Sequence, residues 1–182
     1  MQYKNAWMVR ASKGGRLAEL FASRGCVALG WNCLGNLAGY ADVAALHGAY
    51  VSAYGDEKPA KVSNAVSMLH RFARQISAGD LVITYMPERR LYLLGEDLGR
   101  YRHVAEAEWL DRYANIRPVS WLSVVARDDL SKAVQNSLGA TLTLFSLKNE
   151  VVSELLMNAQ PVGSALSPDA GGAQLSLPGC QI

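Results

Sequence analysis

The chain has 182 residues, half of them hydrophobic and 19% charged, with a formal net charge of +2. That balance excludes a largely disordered chain, fits one domain of ordinary size, and permits a polyanionic partner without requiring one. Cys26, Cys33 and Cys180 form no C-x-x-C pair and have no histidine cluster beside them, so neither a disulfide framework nor a zinc site is expected, and a reducing cytoplasm fits best.

In chain order, Ala6–Arg10 is predicted to be a first strand, broken at Gly14-Gly15 before a helix carrying Leu17, Leu20 and Phe21. Gly25 suits the position just after that helix, and Cys26–Trp31 reads as a second strand that ends on glycine, indole and amide. Helical spacing recurs at Val43, Leu46, Tyr50, Val51 and Tyr54, and again from Val62 to Ile76. The block Leu81–Val104 reads as a meander: a strand at Leu81–Met86, a turn at Pro87-Glu88, a strand at Arg90–Leu94 and an edge strand near Tyr101–Val104. Ile116–Ala126 is a further strand, and Asp128-Asp129 are expected to cap a short helix through Leu138. Thr141–Phe145 is expected as the last strand and Leu147–Met157 as a helix. The Pro-, Gly- and Ser-rich end predicts a flexible tail over 159–182 behind one domain over 1–158. Consecutive strands with early helices favour an α+β fold, a small, partly open mixed β-barrel of five to six strands decorated by helices.

Few residues suggest catalysis. His47, His70 and His103 lack a nucleophile signature such as G-x-S-x-G, and Lys13-Gly14-Gly15-Arg16 lacks the spacing of a phosphate loop. Asp80 with Glu88, Arg89 and Arg90 is the nearest approach to a metal-dependent nuclease centre, but Asp80, Glu96-Asp97 and Asp128-Asp129 all suit turns and caps. No enzyme activity, cofactor or metal is expected, and no apolar run of about 18 residues suggests a membrane span.

Aromatic and basic residues point to nucleic acid. An unstacked base needs flat side chains, amides or hydroxyls for its edge, and cations for neighbouring phosphates. Trp31 closes the second predicted strand and is followed by Asn32, Trp121 lies within another, Tyr85 lies near the end of a third, and Arg10 closes the first; these five are the candidate base-binding residues. Trp121, between Val119 and Leu122, also suits a core, as does Trp7; Trp109 suits loop packing. Lys13, Arg16, Arg71, Arg74, Arg89 and Arg90 are candidate phosphate contacts, Arg71 and Arg74 on the polar face of the long helix, where a solvated face is the more ordinary reading.

Taken together, AWMVRASKGGRLAELFASRGCVALGW, DEKPAKVSNAVSMLHRFARQISAGDLVITYMPERRLYLLGE and RPVSWLSVVARDDLSKAVQNSLGATLTLFSL resemble, collinearly over roughly 5–147, the module that precedes the nuclease domain in Mrr-type restriction endonucleases. AGDLVITY is also similar to a strand of EVE-type domains of the PUA-like superfamily. The resemblance implies a PUA-like barrel that reads DNA by accepting a flipped, modified cytosine or adenine, as in restriction and phage defence; Trp31, Tyr85 and Trp121 match the family's strands by position. Where that family continues into a nuclease, this chain runs into its short tail. The expectation is therefore a non-catalytic DNA reader, with a nuclease supplied by a separate partner, a truncated gene or a phage-borne decoy as alternatives. A protein-interaction adaptor of mobile-element origin is the other class of function.

Overall fold

The computed structural model describes residues 3–55, 57–105 and 113–164. β1 (Ala6–Val9) leads through a tight turn to α1 (Ala18–Arg24), β2 (Cys26–Leu29), α2 (Val43–Tyr54) and α3 (Pro59–His70), which a π turn at Arg71–Gln75 extends. There follow β3 (Leu81–Met86), β4 (Leu91–Asp97), β5 (Arg102–His103), β6 (Asn115–Ala126), α4 (Lys132–Leu138), β7 (Leu144–Ser146), α5 (Asn149–Met157) and β8 (Gln160–Pro161). Gly25 closes α1 in the left-handed conformation at φ 60°, as its sequence position suggests.

These strands make one curled mixed sheet in the order β2-β6-β4-β3-β1-β7, a half-barrel of six strands with the helices around it. β1 lies parallel to β3, with Trp7 opposite Val82, although β2 and three helices intervene in the chain. β6 holds the curl together: its first residues pair with β2, Val27 opposite Arg117, and its later ones with β4 and β8. A register shift at Leu94/Gly95 bends β4 where it meets β6. A Cβ on Gly95 would come within 2.5 Å of the Ser120 carbonyl and 2.8 Å of the Trp121 ring, so this close approach needs glycine.

Both faces of the sheet are covered, which is why β3 reads LVITYM without polar alternation. Val82 and Leu93 join a core with Phe21, Leu29, Leu69 and Phe72, while Ile83 and Leu94 face a second cluster with Met8, Leu138 and Leu155.

Two buried acids lock the layers. Asp97, expected in a turn, is instead 2% exposed on β4 and accepts both arms of the buried Arg117 guanidinium, at 2.7 Å each. Arg117 also donates to the Phe72 and Ile76 carbonyls at 3.0 and 2.9 Å, fastening the end of the long helix to the sheet. Asp80, the nearest approach to a metal-binding carboxylate, is likewise buried; it accepts from Asn5 Nδ2, the Trp7 indole and the Ser77 amide at 2.9–3.0 Å. Its charge is met by these donors because an unsolvated carboxylate without them would be costly. Trp7 is thus a core residue, as expected. Among the described residues no three His, Cys, Asp or Glu side chains cluster as metal ligands, and no helix is long and apolar enough to cross a membrane.

Three local expectations are corrected. Ser131, not Asp128 or Asp129, caps α4, its hydroxyl accepting from the Val134 amide, while Asp128 pairs with Arg90. Thr141 and Thr143 precede β7, which starts at Leu144 and is not the last strand. Gln160–Pro161, placed in the tail by composition, pair with Val124 and Ser123 of β6. The rest of that tail beyond 164, Cys180 and Trp109 lie outside the described residues.

Candidate functional site

The loops that follow β1 and β2 border one another, and there the molecule opens into a cleft of two lobes. The first, about 680 Å³, is lined by Arg10, Ser12, Lys13, Trp31, Tyr113 and Thr141, among others. The second, about 650 Å³, includes Tyr50, Glu57, Lys61, Asn64, Met68 and Leu142. Trp31, Tyr54, Thr141 and Thr143 belong to both, so the indole stands where the lobes meet. Either volume lies within the roughly 300–1,000 Å³ of sites for small organic ligands.

Trp31 is held there at a conformational cost. Its backbone is left-handed at φ 58° and ψ 43°, a region that disfavours residues with a Cβ by about 1–2 kcal/mol. Ser12, on the facing loop, has φ 69°; with Arg90 these are the non-glycine residues of positive φ among the described residues. Two of the three therefore line one cleft, and backbone strain gathered at one place is a reason to look for function there.

The walls are cross-braced. Tyr113 packs its ring over Gly30 and donates its hydroxyl to Ser12 Oγ at 2.8 Å; Arg16 Nε also donates to Ser12 Oγ, at 3.1 Å. Tyr50 and Tyr54, one turn apart on α2, stack at 5.0 Å and 42°. Burial, followed by the neighbouring Cys33 thiol, pushes the Tyr54 hydroxyl up to about 12. Burial and the hydrogen bond to Glu57 also raise Tyr50, with Trp31 acting the other way. Both phenols stay protonated donors at neutral pH, whereas the Lys61 hydrogen bond holds Glu57 below the usual glutamate range and therefore ionised. Met68 Sδ accepts from the Leu144 amide at 3.4 Å, tying the floor of the second lobe to β7.

The family described as a domain of unknown function (DUF8426) matches residues 7–148, a span that contains every residue lining either lobe. The chain belongs to that family. No curated protein and no solved structure matches it.

Within this DUF8426 domain the cleft unites Trp31, Arg10 and Lys13 from the sequence-derived candidates. Asn32 borders it, but its Oδ1 accepts from the Ala114 amide at 3.1 Å, a fold-bracing role. Trp121 lines neither lobe: its indole N–H donates to the Phe21 carbonyl at 2.9 Å and its ring packs over Gly95. Tyr85 stacks with Tyr92 at 4.6 Å against the second core cluster. The expectation of a shared Trp31–Trp121–Tyr85 pocket is thus corrected, because β6 and β3 direct those rings to other parts of the molecule. Replacing Trp121 by Phe removes one buried hydrogen bond, and the expected result is a stability loss of about 1 kcal/mol in urea denaturation with ligand binding unchanged.

Most of the expected phosphate contacts serve the fold. Arg74 donates to the Ala38 and Tyr40 carbonyls, both at 2.8 Å; Arg89 pairs with Glu19 and Arg90 with Asp128. Arg71 lies with His47, Ser63, Ser67 and His70 along a separate groove between α2 and α3. The sequence reading missed Tyr50, Tyr54, Tyr113, Asn64, Thr141 and Thr143. The α2 tyrosines looked like an apolar stripe, and only their position one turn apart at a glycine-terminated helix end marked them as a stacking pair.

Proposed function

We propose that this domain is a non-catalytic DNA reader of PUA-like architecture that holds one extruded, modified base in the second and more apolar lobe, against Trp31 and Tyr54. The observation that carries this is the strained Trp31, whose half-buried indole packs against the core on one side and stands at the junction of two ligand-sized lobes on the other. Stacking on one aromatic ring contributes about 1–3 kcal/mol per base, enough to offset much of the few kcal/mol lost on extrusion. Asn64 and the ionised Glu57 offer acceptors for an exocyclic amino group, and Met68, Ala60, Ala65 and Leu142 provide an apolar surface for a methyl substituent.

Short duplexes that differ only at one central base, plain or modified cytosine or adenine, test this at fixed salt. Tighter binding to one modified base, weakened by Trp31→Ala, is the expected result. Equal affinity for all duplexes in both proteins would remove the proposal. A domain that ignored DNA yet retained a nuclease subunit in pull-down would be an adaptor.

A further inference from the structure

The lobes differ in charge in a way that base stacking alone does not require. Among the described residues, the charged side chains lining the first lobe are Arg10 and Lys13, with no carboxylate, whereas the second holds Glu57 with Lys58 and Lys61. Arg10 is anchored by Nη2, which donates to the Leu138 carbonyl at 3.5 Å and to the Ala140 carbonyl. Its buried Nε has no hydrogen-bond partner among the described residues. That N–H is closed to solvent and to an incoming anion alike, but Arg10 keeps its charge at a lobe whose described lining residues include no carboxylate to neutralise it.

The turn beside it has a fixed geometry. Ser12, Gly14 and Gly15 all have positive φ, at 69°, 67° and 72°, and Arg16 returns to the right-handed helical region. The Ser12 and Gly15 amides are spent on the Arg10 and Ser12 carbonyls, at 3.0 and 3.2 Å, so the turn is held by its own hydrogen bonds and fixes where Lys13 emerges. Gly15 also packs so closely on Pro87, 2.5 Å from a would-be Cβ, that the turn is held in place. The sequence Ser-Lys-Gly-Gly-Arg lacks the spacing of a nucleotide-binding loop, yet folding sets it at the mouth of a cationic lobe.

We infer that the first lobe is a phosphate subsite: Arg10 and Lys13 take a phosphate while the base attached to the same nucleotide lies in the apolar lobe across Trp31. The inference rests on the proposal that the apolar lobe holds a base. The phosphate comes either from a free mononucleotide or from the backbone flanking an extruded one, and the chemistry of capture is the same.

Titration calorimetry on the full chain separates the cases, with deoxycytidine, deoxycytidine monophosphate, inorganic phosphate and a short duplex as probes. The monophosphate should bind roughly tenfold or more tighter than the nucleoside, the gain of one charge-assisted hydrogen bond. Lys13→Ala, an exposed change, should remove much of that difference, as should Arg10→Gln if it folds. Duplex that displaces the monophosphate identifies the backbone as a source; duplex that fails to displace it leaves the free nucleotide as the ligand, and either supports the subsite. Equal affinity for nucleoside and monophosphate overturns the subsite and leaves the base-holding lobe standing. Binding of inorganic phosphate lost on Lys13→Ala, with no binding of nucleoside or duplex, upholds the subsite and overturns the base. No binding of any probe overturns both.

Discussion

An Arg117→Met variant is expected to lose about 3–5 kcal/mol of folding stability, the cost of stranding a buried charge without its partner. Asp97 would keep the Gly99 amide, at 2.7 Å, but lose both guanidinium bonds, and the Phe72 and Ile76 carbonyls would lose their donors. For a domain of this size the loss corresponds to a fall in Tm of roughly 6–20 °C. Asp97→Leu should cost a similar amount for the mirror reason, leaving a buried cation. The double variant should be more stable than the sum of the single losses implies, by about 0.5–3 kcal/mol, because neither charge then remains alone. Thermal denaturation of the three proteins checks this. Additive losses would mean that the pair contributes no mutual interaction, contrary to its two-armed geometry.

Trp31 gives the second large effect, in two properties at once. Under the proposed function, Trp31→Ala and Trp31→Gly should each weaken nucleic-acid binding by about 1–3 kcal/mol, roughly 5- to 150-fold, through loss of the stacking surface. In stability the two should diverge. Alanine inherits the left-handed strain at φ 58°, and glycine does not, so Trp31→Gly should be the more stable by about 1 kcal/mol. Within ordinary helices and strands the order is reversed, glycine being worse by about 0.5–1 kcal/mol. Urea denaturation beside binding titrations measures both. If glycine is no better than alanine and affinity is unchanged, the ring serves packing alone.

Local structure was largely legible because apolar periodicity governs it. The stripe Val62, Ala65, Val66 and Leu69 forms the buried face of α3, and LVITYM forms a strand covered on both sides. Long-range pairing was not legible. Nothing local in AWMV or LVITYM says that these segments, far apart in sequence, lie parallel, and nothing in RPVSW marks Arg117 as buried; its burial depends on Asp97 arriving from β4. The cleft was half legible. The glycine before Trp31 and the amide after it singled out an indole at a strand end, and there the half-buried ring sits at the edge of the core on a left-handed backbone. Tyr54 and Tyr113 join it only because the end of α2 and the entry to β6 converge on the same loops. Trp121 misled because a β-strand presents aromatic residues to either face, and the face is set by the bulge at Gly95, which is a property of the pairing with β4.

The most direct measurement is a crystal structure of the domain with a short duplex carrying the base modification it prefers. The account predicts one nucleotide swung out of the helix, its base flat against Trp31 and Tyr54 and its phosphate beside Arg10 and Lys13. A complex with every base still stacked in the duplex and nothing entering the cleft would contradict it.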